Sequence, residues 1–320
     1  MTAPADREPS APVLVIGATG QIGHEAVRAL GWLGPVAAPD RGALDLESET
    51  SIRAAVRRVT PAVVVNAAGY TAVDAAERDA ARCARLNADA PAILAAECRR
   101  VGAILVHLST DYVFDGAKGA PYVETDEPHP LGVYGETKLV GERAVQAAGG
   151  AYLVVRTSWV YAARGHNFAL TVLRLAHERT TLAVVNDQVG APTSASAVAD
   201  GISRVLRRLF DTPDPRAAAE SAAGVYHMTA AGSTTWYEFA RVILADDPRA
   251  ADQRCRAIEP ISTAEYPAAA RRPAYSVLDN GKLAARWGVV LSDWRRQWGG
   301  VAGELRRASG ARVEGNPAGQ

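Results

Sequence analysis

Tyr134 and Lys138 stand four residues apart in Tyr-Gly-Glu-Thr-Lys, so on a helix they share one face. A phenol ordinarily titrates near ~10, and an ammonium beside it favours the charged form. The pair could therefore exchange a proton with a carbonyl or an alcohol at neutral pH. Alone, the spacing is more often a surface pair on a solvated helix face. A second hydroxyl adds weight: Ala103-Ile104-Leu105-Val106-His107-Leu108 reads as a buried strand and ends in Ser109-Thr110-Asp111.

The elements that would position these groups alternate. Val13-Leu14-Val15-Ile16 runs into Gly17-Ala18-Thr19-Gly20-Gln21-Ile22-Gly23, followed by a helical pattern from Ile22 to Leu30. A glycine turn between strand and helix lets backbone approach a pyrophosphate, and the helix N-terminus offers free N–H groups to it. The run Pro35 to Ala38 ends at Asp40-Arg41, where dinucleotide folds hold the adenosine ribose. Asp40 would favour NADH and Arg41 the 2′-phosphate of NADPH, which leaves the preference open. Asp45-Leu46 and a helix from Ser48 to Val59 lead to a strand over Ala62 to Val65, ending in Asn66-Ala67-Ala68-Gly69-Tyr70. A long alanine-rich helical region, about Val73 to Val101, carries Asn87, which reads as a structural amide. Gly116, Gly119, Pro121, Pro128 and Pro130 keep the segment from Thr110 to Tyr134 irregular. Helix from Tyr134 to Ala148 and strand from Tyr152 to Val155 complete the alternation. It implies an α/β fold, a Rossmann-like doubly wound parallel sheet with ligands at the strands' carboxyl ends.

Beyond lie short strands over Leu182 to Val185 and Val225 to Met228. Helices are expected over Ala195 to Phe210, Thr235 to Ala245, Gly281 to Trp287 and Trp294 to Arg307. Thr212 to Ala223 reads as a solvated link. A dinucleotide-binding part is expected over 12–160 with a return over about 182–228, and a smaller, mostly C-terminal α/β substrate-binding part over 161–181 and about 229–307. The tails 1–11 and 308–320 are expected to be disordered.

The 320 residues carry no net charge, so average electrostatics recruits neither nucleic acid nor an acidic membrane surface, and an anionic ligand must be held locally. Cys83, Cys98 and Cys255 are odd in number and form no C-x-x-C, which points to reduced, structural thiols. The six histidines show no ligand spacing, and no metal is expected. Met1 to Pro12 lacks an apolar run and no stretch approaches the ~18 apolar residues of a span, so a cytoplasmic location is expected.

In order along the chain, the glycine turn, the acidic residue after the second strand, Asn66-Ala67-Ala68-Gly69, Ser109-Thr110 and Tyr134-x-x-x-Lys138 resemble the extended short-chain dehydrogenase/reductase superfamily. Finer segments resemble the dTDP-4-dehydrorhamnose reductases: Asn66 to Asp74, Ser109 to Gly116, Val133 to Lys138, Arg156 to Tyr161, Asn186 to Thr193 and Arg272-Pro273, together covering about residues 13 to 305. The resemblance implies reduction of a nucleotide-sugar C4 ketone by a nicotinamide hydride. Tyr134 would be the proton donor, and Thr110 would hydrogen-bond the same oxygen, with Ser109 ranked second. Lys138 would hold the nicotinamide ribose and lower the phenol pKa. Cofactor contacts would come from Gly17, Thr19, Gly20, Gln21, Ile22, Gly23, Asp40, Arg41, Asp45, Leu46, Ala67, Ala68, Tyr70, Tyr134 and Lys138. Substrate contacts would come from Thr71, Val73, Ser109, Thr110, Trp159, Asn186, Gln188, Pro192, Thr193 and Arg272, with Arg156 a further candidate for the substrate diphosphate. Some family members hold magnesium between subunits; Glu25 matches one such position but lacks partners, and a homodimer is left open. The same chemistry would serve another 4-ketoreductase or an epimerase, and the subfamily also contains a non-catalytic regulatory subunit that binds NADP. The complete Thr110, Tyr134 and Lys138 set favours an enzyme.

Overall fold

A computed structural model describes residues 11–314. Six parallel strands form the central sheet: β1 (Val13–Ile16), β2 (Val36–Ala37), β3 (Val63–Asn66), β4 (Ile104–Thr110), β5 (Tyr152–Thr157) and β6 (Gly224–His227), in the order β6-β5-β4-β3-β1-β2. Strands with both faces covered need no polar alternation, which is why β1, β3 and β4 read as continuous runs. Their side chains still alternate between two cores. Val13, Val15, Val63 and Val65 face helices α1 (Gln21–Ala29) and, much later in the chain, Ala195–Phe210. Leu14, Ile16, Val64 and Leu105 face α2 (Glu49–Val59), α3 (Ala90–Val101) and α4 (Val133–Ala148). The strand order turns back between β1 and β3, which opens a crevice at their carboxyl ends. The expected doubly wound α/β architecture is thus present.

A third core lies apart from the sheet. Tyr161, Phe239, Trp294 and Trp298 are buried there between helices Phe168–Glu178, Trp236–Ala245 and Trp294–Glu314. Thr181–Val185 does not return to the central sheet; it pairs in parallel with Ala257–Ile261.

Three segments depart from expectation. The helical region from Val73 to Val101 is broken into Val73–Ala76, Ala80–Ala84, a π-helical turn over Arg85–Asp89, and α3. Its cause is visible at Asn87, whose Oδ1 accepts from Tyr70 N at 2.8 Å and whose Nδ2 donates to Tyr70 O at 3.0 Å. A widened turn places that amide against the strand-end loop, the structural role expected for Asn87. Within Thr212 to Ala223 the chain forms a short helix, Pro215–Ser221, because Asp214 caps Ala217 N at 2.9 Å and Ala219 reaches the core. The last helix continues through Glu314, past the expected start of the disordered tail, with Ser309 Oγ bonded to Leu305 O. The expectations for 1–10 and 315–320 lie outside the described residues. Among the described residues no helix is long and apolar enough to cross a membrane. The three cysteines are free, as expected.

Candidate active site

The crevice at the strand ends is a cleft of about 620 Å³. Its floor at one end is the glycine turn. Gly17 sits at φ +83°, and a Cβ there would meet Ala68 N at 2.8 Å, so only glycine lets the β1 and β3 ends approach so closely. Gly20 caps α1 without a side-chain acceptor, leaving the first N–H groups of the helix facing the cleft. Of the residues expected at a cofactor, Gly17, Thr19, Gly20, Gln21, Ile22, Asp40, Arg41, Asp45, Leu46, Ala67, Ala68, Tyr134 and Lys138 line this cleft. Gly23 does not. It lies within α1, where a Cβ would come 2.1 Å from Gly17 O, so it serves the packing of helix on turn. Tyr70 is likewise outside the lining, its backbone held by Asn87.

At the far end, Tyr134 on α4 meets Thr110 at the tip of β4. Although Tyr134 as a residue is half-buried, burial of its phenol pushes the pKa up to about 12, with the Thr110 hydroxyl pulling the other way. Burial pushes Lys138 down to about 8, and its Nζ donates to Leu108 O. The expected lowering of the phenol by Lys138 is not what the structure gives: burial sets the direction, Asp111 and Cys83 act in the same sense, and the ammonium is engaged with Leu108 O. A phenol raised in this way is fully protonated at neutral pH, the state an acid needs. Asp111, next to Thr110 and buried, is pushed up to about 7 by burial, and one of its oxygens has no partner among the described residues.

Of the residues expected at a substrate, Thr71, Ser109, Thr110 and Trp159 line the cleft. Trp159 holds φ +47°, a costly conformation for a non-glycine residue, and stacks on Trp236 at 3.5 Å between ring centroids. The loop from Asn186 to Thr193 makes the bed for this ring rather than a wall of the cleft. Gln188 accepts from Trp236 Nε1 at 3.1 Å, and a Cβ on Gly190 would strike the Trp159 ring at 2.4 Å. Asn186 accepts from Thr235, Thr193 is bonded to Ala191 and Ala230, and Pro192 is buried between them. Val73 lines a separate small hollow with Tyr112 and Tyr134.

The two arginines expected at a diphosphate are both committed elsewhere. Arg272 forms a bidentate pair with Asp74 at 2.7 and 3.2 Å, and Arg156 is buried against Glu142. Ser109 gives its hydroxyl to Glu142, and Thr110 gives its own to Asp111 Oδ1 at 3.0 Å. Arg164 and His166, which belong to no recognisable motif in the sequence, also line the cleft beside the glycine turn. Asn167 anchors them, reaching Gln21 Oε1 at 2.9 Å and Arg164 O at 3.1 Å. Only the neighbourhood of the Asn167 cap could have pointed to them. Glu25 pairs with Arg28 at 3.2 Å.

Known proteins resemble this chain over most of its length. A family model described as the RmlD substrate binding domain matches residues 11–306. A dTDP-4-dehydrorhamnose reductase of Burkholderia thailandensis is 49% identical over 286 residues, 88% of this chain and 95% of that protein. The chain belongs to the dTDP-4-dehydrorhamnose reductase family. The reductase of Escherichia coli K12 is 42% identical over 288 residues, 88% of this chain and 94% of that protein. The crystal structure of the Bacillus anthracis reductase in complex with NADP superposes with a TM-score of 0.82 at 32% identity, covering 92% of this chain and 99% of that one. The similarity to these reductases thus extends over most of the fold and not only its dinucleotide half.

Proposed function

We propose that this chain reduces the C4 ketone of dTDP-4-dehydro-L-rhamnose with NADPH to give dTDP-L-rhamnose. The observation that carries the reading is the meeting of the Tyr134 phenol with Thr110 in a cleft that begins at the glycine turn. Bound NADPH supplies a hydride to the ketone carbon. Tyr134 gives its proton to the oxygen as negative charge develops, and Thr110 turns its hydroxyl from Asp111 Oδ1, 3.0 Å away, to donate to the same oxygen. Lys138, whose ammonium lies on the same helix face, holds the ribose and offsets the phenolate left behind. Trp159 packs over the sugar or base, and Thr71 borders the sugar. The sheet with Gln21 to Thr157 holds the dinucleotide, and the core around Phe239 and Trp298 supports the substrate side. Steady NADPH oxidation with the 4-keto sugar is the expected result. NADPH binding without turnover would favour a regulatory subunit, and interconversion of sugars without net NADPH use would favour an epimerase.

The adenosine end explains the choice of NADPH. The Asp40 carboxylate accepts from Ala43 N at 2.9 Å and shapes its own turn, whereas Arg41 is exposed in the cleft with no ion pair or hydrogen bond among the described residues. A guanidinium so placed suits a phosphate. Arg41→Ala is expected to raise KM for NADPH by about 10- to 150-fold while leaving that for NADH within twofold, one charge-assisted contact being worth ~1.5–3 kcal/mol. An unchanged NADPH to NADH ratio would place the 2′-phosphate elsewhere.

A further inference from the structure

Behind the reactive groups lies a buried polar cluster with no part in hydride or proton transfer. Glu142 is fully buried and follows Lys138 by one turn on the inward face of α4. Arg156, 3% exposed, reaches it from β5 with bonds of 2.9 and 2.7 Å, and Ser109 Oγ donates to it at 2.5 Å. The residue before Ser109, Leu108, takes the Lys138 ammonium on its carbonyl. Two consecutive residues of β4, just before Thr110, are thus tied to two residues of α4 one turn apart, and β5 braces the second tie. A buried ion pair adds little stability over well-packed apolar side chains, so stability alone does not account for this one.

We propose that Glu142, braced by Arg156, is a positioning residue that sets the register of α4 against the end of β4, so that Lys138 and Tyr134 arrive together at Thr110. This rests on the reductase reading above. The charges support the geometry. Burial is what pushes Lys138 down, and Glu142 is the largest influence restoring it; Cys83, from the adjoining Ala80–Ala84 helix, acts in the same sense. His107, on β4, is held neutral by burial and by Lys138 itself, and Arg156 spends its charge on Glu142 and lies over the Phe114 ring at 5.1 Å. His227, beside Arg156 on β6, is pushed down to about 3 and carries no charge near neutrality.

The test compares wild type, Glu142→Gln and the double variant E142Q/R156M in NADPH affinity across pH, kcat with the 4-keto sugar, and melting temperature. In Glu142→Gln the alkaline loss of NADPH affinity is expected at lower pH and kcat is expected to fall at least about 10-fold through misplacement. The double variant, relieved of its unpaired guanidinium, is expected to regain melting temperature while keeping the shifted pH midpoint and the low kcat. A midpoint unmoved in Glu142→Gln, or one that recovers together with melting temperature in the double variant, would overturn the proposal. A wild-type chain that binds NADPH but leaves the sugar unreduced would refute the reductase reading instead, and the NADPH titration would still decide the role of Glu142.

Discussion

Tyr134→Phe is expected to lower kcat by ~10²–10⁴, the usual worth of a positioned acid, with NADPH affinity and melting temperature close to wild type. The substitution removes one hydroxyl from a ring that keeps its edge-on contact with Tyr112 at 5.8 Å between centroids, so the site is otherwise preserved. Full activity in this variant would refute the assigned role. The pH profile supplies an independent check. The phenol, raised to about 12, holds its proton throughout the working range, so raising pH cannot activate it. Two neighbours work against turnover as pH rises. Asp111 becomes anionic above about 7 and disfavours the phenolate formed in the reaction, and Lys138 loses its ammonium above about 8. kcat/KM for reduction should therefore decline across and above that window. A mechanism that needed a phenolate beforehand would show the reverse, a rise with pH.

What could be read in the sequence followed from local chemistry. β1, β3 and β4 are buried on both faces and mostly apolar, so their position and the crevice at their ends followed from the runs themselves. Thr110, Tyr134 and the glycine turn were legible for the same reason, being attached to strand or helix ends of recognisable pattern. Partnerships across the chain were not. Arg272 looked like a free cation until the fold brought Asp74, 198 residues earlier, against it. Arg156 and Ser109 were both claimed by Glu142, a residue that in sequence is one more charge on a helix. The loop from Asn186 to Thr193 was identified with the substrate, yet its buried side chains shape the support of Trp159, whose positive φ has no mark in composition. A residue type announces what a side chain can do; its nearest neighbours, often distant in sequence, decide whether it is free to do it.

Gly141 likewise depends on a neighbour distant in sequence, and its substitution has the second large effect. Glycine in mid-helix costs ~1 kcal/mol relative to alanine, so Gly141→Ala would stabilise a helix standing alone. Here the expected sign is opposite. A Cβ at Gly141 would lie 2.0 Å from Asn87 O, a backbone atom of the π-helical turn that no rotamer change can move aside. Helix α4 must back away, and overfilling of this kind costs ~1–3 kcal/mol. Two functional ties would loosen with it: the Asn87 bonds to Tyr70 at the strand-end loop, and the seat of Tyr134 and Lys138 on the same helix. A displacement of ~1 Å at reacting groups can cost 10²-fold in rate. Gly141→Ala should therefore lower melting temperature and cut kcat about 10²-fold, whereas Gly299→Ala, with nothing within 4 Å of its Cβ in helix Trp294–Glu314, should raise stability and leave kcat unchanged. If both variants gained stability alike, α4 would not pack against the Asn87 turn this closely, and the anchoring of the Tyr134 helix through that contact would have to be abandoned.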